Sequence, residues 1–183
     1  MDCSPVCESV THDCRDGNRT FDCALGNVSH AGGAGIDLLI ADFSGNVNSV
    51  ITQGTDTDIT QATSLFQSGG SKSISGFEIV SLTGGSAGDE LVGGSFDDTL
   101  IGGGGDDTLN GGPGGNDDLF GGDGNDTVLG GDGGGTIDLG GGDDSVQGDA
   151  GDDTIDGGGG FDAVAYDNES GILGISVDLR TGI

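Results

Sequence analysis

The chain has 183 residues, 43 of them glycine, and carries 32 acidic against 4 basic side chains, a formal charge of −28. Four basic residues cannot neutralise a phosphate backbone, and an anionic membrane surface would repel so acidic a chain, so nucleic acids and such membranes are excluded as partners. Glycine this abundant also excludes a conventional two-layer core, and bound cations are the simplest remedy for the self-repulsion.

Residues 1–30 form a cysteine-containing N-terminal segment with Cys3, Cys7, Cys14, Cys23, His12 and His30. In an oxidising compartment four cysteines predict two disulfides, with three pairings open. A zinc site from the cysteines and His12 is the alternative, although C-x3-C-x6-C-x8-C lacks the usual C-x2-C knuckles. Free thiols are a third reading. Residues 1–20 contain no apolar run of the signal-peptide type. His12-Asp13 near Ser9 reads as a solvated loop rather than a hydrolytic set.

Residues 31–83 alternate enough to predict strands. Ile36, Leu38 and Ile40 share one face, and Val47, Val50, Ile51, Ile79 and Val80 are further candidates. They are expected to form irregular, non-calcium β-coils that lead into the next segment and cap its open end. No apolar run in the chain approaches the roughly 20 residues of a membrane span.

From residue 84 the composition changes. Residues 84–165 hold 30 glycines, 19 acidic residues and no Lys or Arg. Written in nines they read GGSAGDELV, GGSFDDTLI and GGGGDDTLN, then the ten-residue GGPGGNDDLF, then GGDGNDTVL, GGDGGGTID, LGGGDDSVQ, GDAGDDTID and GGGGFDAVA. The pattern is G-G-x-G-x-D-x-U-x. The aliphatic U position holds Leu91, Leu100, Leu109, Leu119, Val128, Ile137, Val146, Ile155 and Val164. The sixth position holds Asp89, Asp98, Asp107, Asp117, Asp126, Asp144, Asp153 and Asp162, with Gly135 breaking the series.

Each unit predicts a glycine turn followed by a short x-U-x strand. Successive units reverse direction, so two units make a coil and units of like parity stack. Stacking brings sixth-position carboxylates close, where they repel unless neutralised. Ca²⁺ takes six to eight oxygens from carboxylates and carbonyls, so several calcium ions are the expected cofactor and the eight aspartates the expected ligands. Paired acids such as Asp97-Asp98 and Asp152-Asp153 recur too regularly for acid–base chemistry and read as structural.

Parity assigns Asp89, Asp107, Asp126, Asp144 and Asp162 to one edge, enclosing up to four good sites. Asp98, Asp117 and Asp153 fall on the other, where Gly135 weakens two gaps and the extra residue around Pro113–Gly115 is expected to distort the third. An asymmetric roll with one well-metallated edge is the expectation.

These units resemble the haemolysin-type calcium-binding repeats of RTX proteins. The resemblance implies an all-β fold, a right-handed parallel β-roll with irregular β-coils N-terminal to it. It also implies export by type I secretion and folding in external calcium, hence a secreted location. Ile36–Gly45 and Ile74–Gly85 resemble the non-calcium coils that lead into such arrays, and Gly160–Gly182 resembles their exit, making residues 166–183 a C-terminal capping segment. RTX proteins are generally cysteine-poor, unlike residues 1–30. The resemblance leads to a larger parent chain or a surface assembly as partner, beside the calcium ions.

The leading function is a non-enzymatic calcium-binding structural module of an exported protein. An adhesive or ice-binding surface is the second reading, from Thr99, Thr108, Thr127, Thr136 and Thr154 at the seventh position. A non-catalytic passenger region of a secreted RTX enzyme or toxin is the third. Neither an H-E-x-x-H nor a G-x-S-x-G motif is expected.

Overall fold

The computed structural model describes residues 79–165 throughout, and strand residues 11–13, 20–24, 29–31, 38–42, 51–53, 63–67, 70–75 and 176–178. Cys3, Cys7 and Cys14 lie outside the described residues, as do the side chains of Cys23, His12 and His30. The described residues are all β, without a helix.

The strands before the repeats are β1 (Thr11–Asp13), β2 (Thr20–Ala24), β3 (Ser29–Ala31), β4 (Leu38–Asp42), β5 (Ile51–Gln53), β6 (Thr63–Gln67), β7 (Gly70–Ser75) and β8 (Ile79–Thr83). The repeats supply β9 (Glu90–Val92), β10 (Thr99–Gly104), β11 (Thr108–Asn110), β12 (Asp118–Asp123), β13 (Thr127–Leu129), β14 (Thr136–Gly141), β15 (Ser145–Gln147), β16 (Thr154–Asp156) and β17 (Ala163–Ala165). The last strand is β18 (Ser176–Asp178).

They form two sheets. One runs β1-β3-β7-β6-β5-β9-β11-β13-β15-β17, the other β18-β16-β14-β12-β10-β8-β4-β2. Within the repeats all pairings are parallel and skip one strand, as alternating units require: Leu91 is level with Leu109, Leu109 with Val128, and Val128 with Val146. On the facing sheet Leu82, Leu100, Leu119, Ile137 and Ile155 form the matching line. The result is a parallel β-solenoid of about five turns over residues 81–165. An extra residue adds one to the coil length between residues 102 and 121, and the register absorbs it.

The interior is filled by one aliphatic line from each sheet. The U residues from Leu91 to Ile155 are buried, and Val164 packs against them at the end. Single aliphatic lines suffice because glycine turns bring the two sheets together without side chains between them. Leu139 is also buried. It holds the first position of its unit, where the other eight units have glycine, and so extends the core toward that edge.

Ahead of the repeats the buried pair in β4 is Leu39 and Ala41, with Leu38 and Ile40 half-buried. The expected face is thus corrected by one residue. The cause is register: Leu39 is level with Val80 and Ala41 with Leu82, which continues the line of Leu100. The leading strands also depart from a simple coil, because β5, β6 and β7 pair antiparallel.

Candidate metal centre

The turns on one edge, here the first, span residues 84–89, 102–107, 121–126, 139–144 and 157–162. Those on the second edge span 93–98, 111–117, 130–135 and 148–153. Strand register confirms that each edge collects turns of one parity.

The sixth-position carboxylates do two things. In Asp98, Asp107, Asp117, Asp126, Asp144, Asp153 and Asp162 one oxygen reaches back a full coil to accept a backbone N–H. On the first edge Asp89 N–H donates to Asp107 Oδ1 (2.7 Å), Asp107 N–H to Asp126 Oδ1 (2.8 Å), Asp126 N–H to Asp144 Oδ1 (2.7 Å), and Asp144 N–H to Asp162 Oδ1 (3.2 Å). On the second edge Val80 N–H donates to Asp98 Oδ1 (2.7 Å), Asp98 N–H to Asp117 Oδ1 (2.9 Å), and Gly135 N–H to Asp153 Oδ1 (3.0 Å). The bond to Asp117 crosses the inserted residue without loss, so the distortion expected there does not interrupt this ladder. Gly135, having no side chain, offers no acceptor to Asp117.

The other oxygen is treated differently. Oδ2 of Asp107, Asp117, Asp126, Asp144 and Asp153 is buried and has no hydrogen-bond partner. These side chains are almost wholly enclosed, Asp126 at 1% exposure. A buried, unpartnered carboxylate oxygen carries a large desolvation cost. Burial, its main cause, pushes Asp98 and Asp107 up to about 7 and Asp117 up to about 6 from the ordinary 3.8. Asp126, Asp144 and Asp153 are raised by burial as well. Accepted backbone N–H bonds oppose the rise, and neighbouring carboxylates add to it: Asp126 and Asp89 act on Asp107, Asp144 on Asp126, and Asp162 on Asp144.

The surroundings of these oxygens favour a cation with oxygen ligands. Over the first glycine of a turn, its own Asp Oδ2 and the backbone carbonyl one coil on converge so closely that a Cβ would collide with both. At Gly102 these are Asp107 Oδ2 and Gly121 O, and at Gly121 they are Asp126 Oδ2 and Leu139 O; the same pairing recurs at Gly84 (Asp89 Oδ2, Gly102 O) and Gly93 (Asp98 Oδ2, Gly111 O), so the partner of Oδ2, not this convergence, distinguishes one turn from another. Among the described residues no three Asp, Glu, His or Cys side chains converge on one point. A cation here must therefore draw on backbone carbonyls as well as carboxylates, a donor set that suits Ca²⁺.

A second ladder escaped the sequence reading. Fifth-position side chains accept from the coil that follows, the reverse direction. Asn125 N–H donates to Asp106 Oδ1 (2.9 Å), Asp143 N–H to Asn125 Oδ1 (2.8 Å) and Phe161 N–H to Asp143 Oδ1 (2.9 Å). On the second edge Asn116 N–H donates to Asp97 Oδ1 (2.7 Å) and Gly134 N–H to Asn116 Oδ1 (3.0 Å). Recurrent Asp or Asn at that position was the available signal. Asp97, from the paired acids, thus has a structural role.

The letters G-x-S-x-G do occur, at Gly84–Gly88, contrary to expectation. They form a roll turn between β8 and β9 and not the strand-to-helix elbow that exposes a nucleophilic serine.

Two stacked edges of buried carboxylates on a parallel solenoid define a cation-binding β-roll. Residues 83–115, 114–137 and 129–164 match the family model of the RTX calcium-binding nonapeptide repeat (4 copies). This segment is an array of RTX repeats, a structural calcium-binding β-roll. No curated protein matches the chain.

Proposed function

We propose that the roll is a calcium-triggered folding module of an exported protein, and that its own role is structural rather than catalytic. The observation that carries this is the set of buried, unpartnered Oδ2 atoms on Asp107, Asp117, Asp126, Asp144 and Asp153. Without a cation these groups oppose folding; Ca²⁺ supplies positive charge and open coordination positions there. Asp162 continues the first-edge series. That edge is the better occupied one, because Gly135 deprives the second edge of a carboxylate in two of its gaps.

RTX repeats are typical of exported proteins. Extracellular calcium modules bind at roughly 10⁻⁴–10⁻³ M. Affinity in that range leaves the chain unfolded at cytosolic calcium and folded outside, with the stabilisation following mass action. The surface reading is less well supported. The outward ranks run Glu90, Thr108, Thr127, Ser145, Ala163 on one sheet and Ser81, Thr99, Asp118, Thr136, Thr154 on the other, so neither is a regular threonine array.

The test is far-UV circular dichroism of EDTA-stripped protein titrated with calcium, with magnesium as control. A cooperative gain of β-signal near millimolar calcium, absent with magnesium, is expected. A β-spectrum indifferent to EDTA and calcium would overturn the proposal.

A further inference from the structure

The repeat turns are of two kinds. In the turn at 93–98 both carboxylate oxygens of Asp98 accept backbone bonds: Oδ1 from Val80 N–H and Oδ2 from Gly94 N–H (2.5 Å). In the turn at 84–89, Asp89 Oδ2 accepts from Gly85 N–H (2.6 Å). These two carboxylates are turned on their own second residue. Neither has the buried, unpartnered Oδ2 found at Asp107, Asp117, Asp126, Asp144 and Asp153.

Backbone conformation separates the two kinds. In the turns with an unpartnered Oδ2, the second residue has positive φ: Gly103 (108°), Gly112 (121°), Gly122 (114°), Gly140 (92°) and Asp149 (57°). The residue two before the aspartate does too: Gly105 (103°), Gly115 (104°), Gly124 (133°), Gly142 (148°) and Gly151 (142°). Gly85 and Gly94 stay outside that region, as do the fourth-position residues Ala87 and Phe96. A φ of 103° to 148° is a region that side chains other than glycine's rarely allow, so Ala87 and Phe96 bar their turns from the open form. The second N–H then meets the carboxylate instead of leaving it bare.

The closed turns also sit where the roll is best supported without turns. They flank Leu91 and adjoin Val80, Leu82 and Leu100, all buried, and β8 is paired further to β4 through Leu39 and Ala41.

We infer that the turns at 84–89 and 93–98 do not take calcium, and that they form a metal-independent end from which calcium-driven coiling proceeds toward Asp162. The inference rests on the calcium-binding reading above and narrows it. The gap between turns 84–89 and 102–107, and that between 93–98 and 111–117, each lack one carboxylate donor. The complete gaps are then the three between the turns starting at 102, 121, 139 and 157, all on the first edge.

Calorimetric counting of calcium bound by the EDTA-stripped full chain tests this. Asp89→Asn and Asp98→Asn are expected to leave the number of bound ions unchanged, whereas Asp126→Asn lowers it by at least one. A loss in Asp89→Asn or Asp98→Asn equal to that in Asp126→Asn, with the calcium-saturated β-spectrum intact, overturns the inference. Ala87→Gly guards against variants that fail to fold. It restores the fourth glycine and is expected to raise the count by one; an unchanged count overturns the inference. A wild-type chain that binds no calcium would instead remove the calcium reading itself, an outcome distinct from any difference among variants.

Discussion

Asp107 and Asp126 lie one coil apart on the first edge, and the N–H of the first donates to Oδ1 of the second (2.8 Å) while Oδ2 of Asp126 is left buried and unpartnered. One carboxylate thus splices two coils with one oxygen and creates a demand for a cation with the other. The two functions can be separated by substitution.

Asp126→Asn keeps a side-chain oxygen to accept from Asp107 but removes the charge. It is expected to raise the calcium midpoint of the β-transition by about tenfold, equivalent to ~1.4 kcal/mol. Asp126→Ala also leaves Asp107 N–H buried without an acceptor, at a further ~1–3 kcal/mol. Calcium titrations followed by circular dichroism should rank them wild type, Asn, Ala. Equal midpoints for the two variants would show that the ladder bond contributes nothing.

The raised carboxylates predict opposite effects of pH with and without calcium. Asp98 and Asp107 lie at about 7 and Asp117 at about 6 in the folded chain, against 3.8 ordinarily. The folded state therefore binds protons more tightly than the unfolded one between pH 4 and 7. In EDTA, stability should rise as pH falls from 8 through 7 to 5, as the cost of burying these charges is relieved. In calcium, protons compete for the same oxygens, so the calcium midpoint should rise over that range. The β-signal in EDTA between pH 8 and pH 5, and the calcium midpoint of the transition at both pH values, check the two signs; Asp107→Asn should shallow the EDTA dependence.

Much of this was legible in the sequence because the repeat is strict. An aliphatic residue at each U position fixes which side chains line the interior, and alternation of units fixes which aspartates share an edge. The fate of each carboxylate oxygen was not legible from aspartate spacing alone, because it depends on the peptide preceding the second residue. The signal lay in Ala87 and Phe96, which replace a glycine two residues before Asp89 and Asp98. Leu39 and Ala41 were missed for a different reason: in a short alternating strand either face can be apolar, and only pairing with Val80 and Leu82 decides.

Glycines in the roll should differ sharply in tolerance. Gly124 has φ of 133°, and a Cβ there would overlap Gly105 O. Gly124→Ala is expected to cost ~3 kcal/mol or more and to abolish calcium-induced folding at millimolar calcium. Gly141, at the third position of its unit, lies outside the left-handed region, and a Cβ there would meet nothing within 4 Å. Gly141→Ala should be neutral or stabilise by ~0.4–1 kcal/mol through the unfolded state. Thermal melts in calcium distinguish them, and comparable losses in both would contradict the turn geometry described above.

The two ladders should also differ in weight, although they occupy adjacent residues. Asn125 Oδ1 accepts from Asp143 N–H (2.8 Å), but this bond is exposed, so water can replace the side chain when it is removed. Asp126, its neighbour, is 1% exposed, and water cannot reach the groups it leaves behind. Asn125→Ala is therefore expected to cost no more than ~0.5 kcal/mol and to leave the number of bound calcium ions unchanged. Asp126→Ala, one residue along, should lose both stability and calcium. Melting curves and calcium counts on the two variants test the contrast. A calcium loss in Asn125→Ala would mean that the fifth-position ladder holds the turn carbonyls in place for the metal, and that the outer ladder belongs to the site.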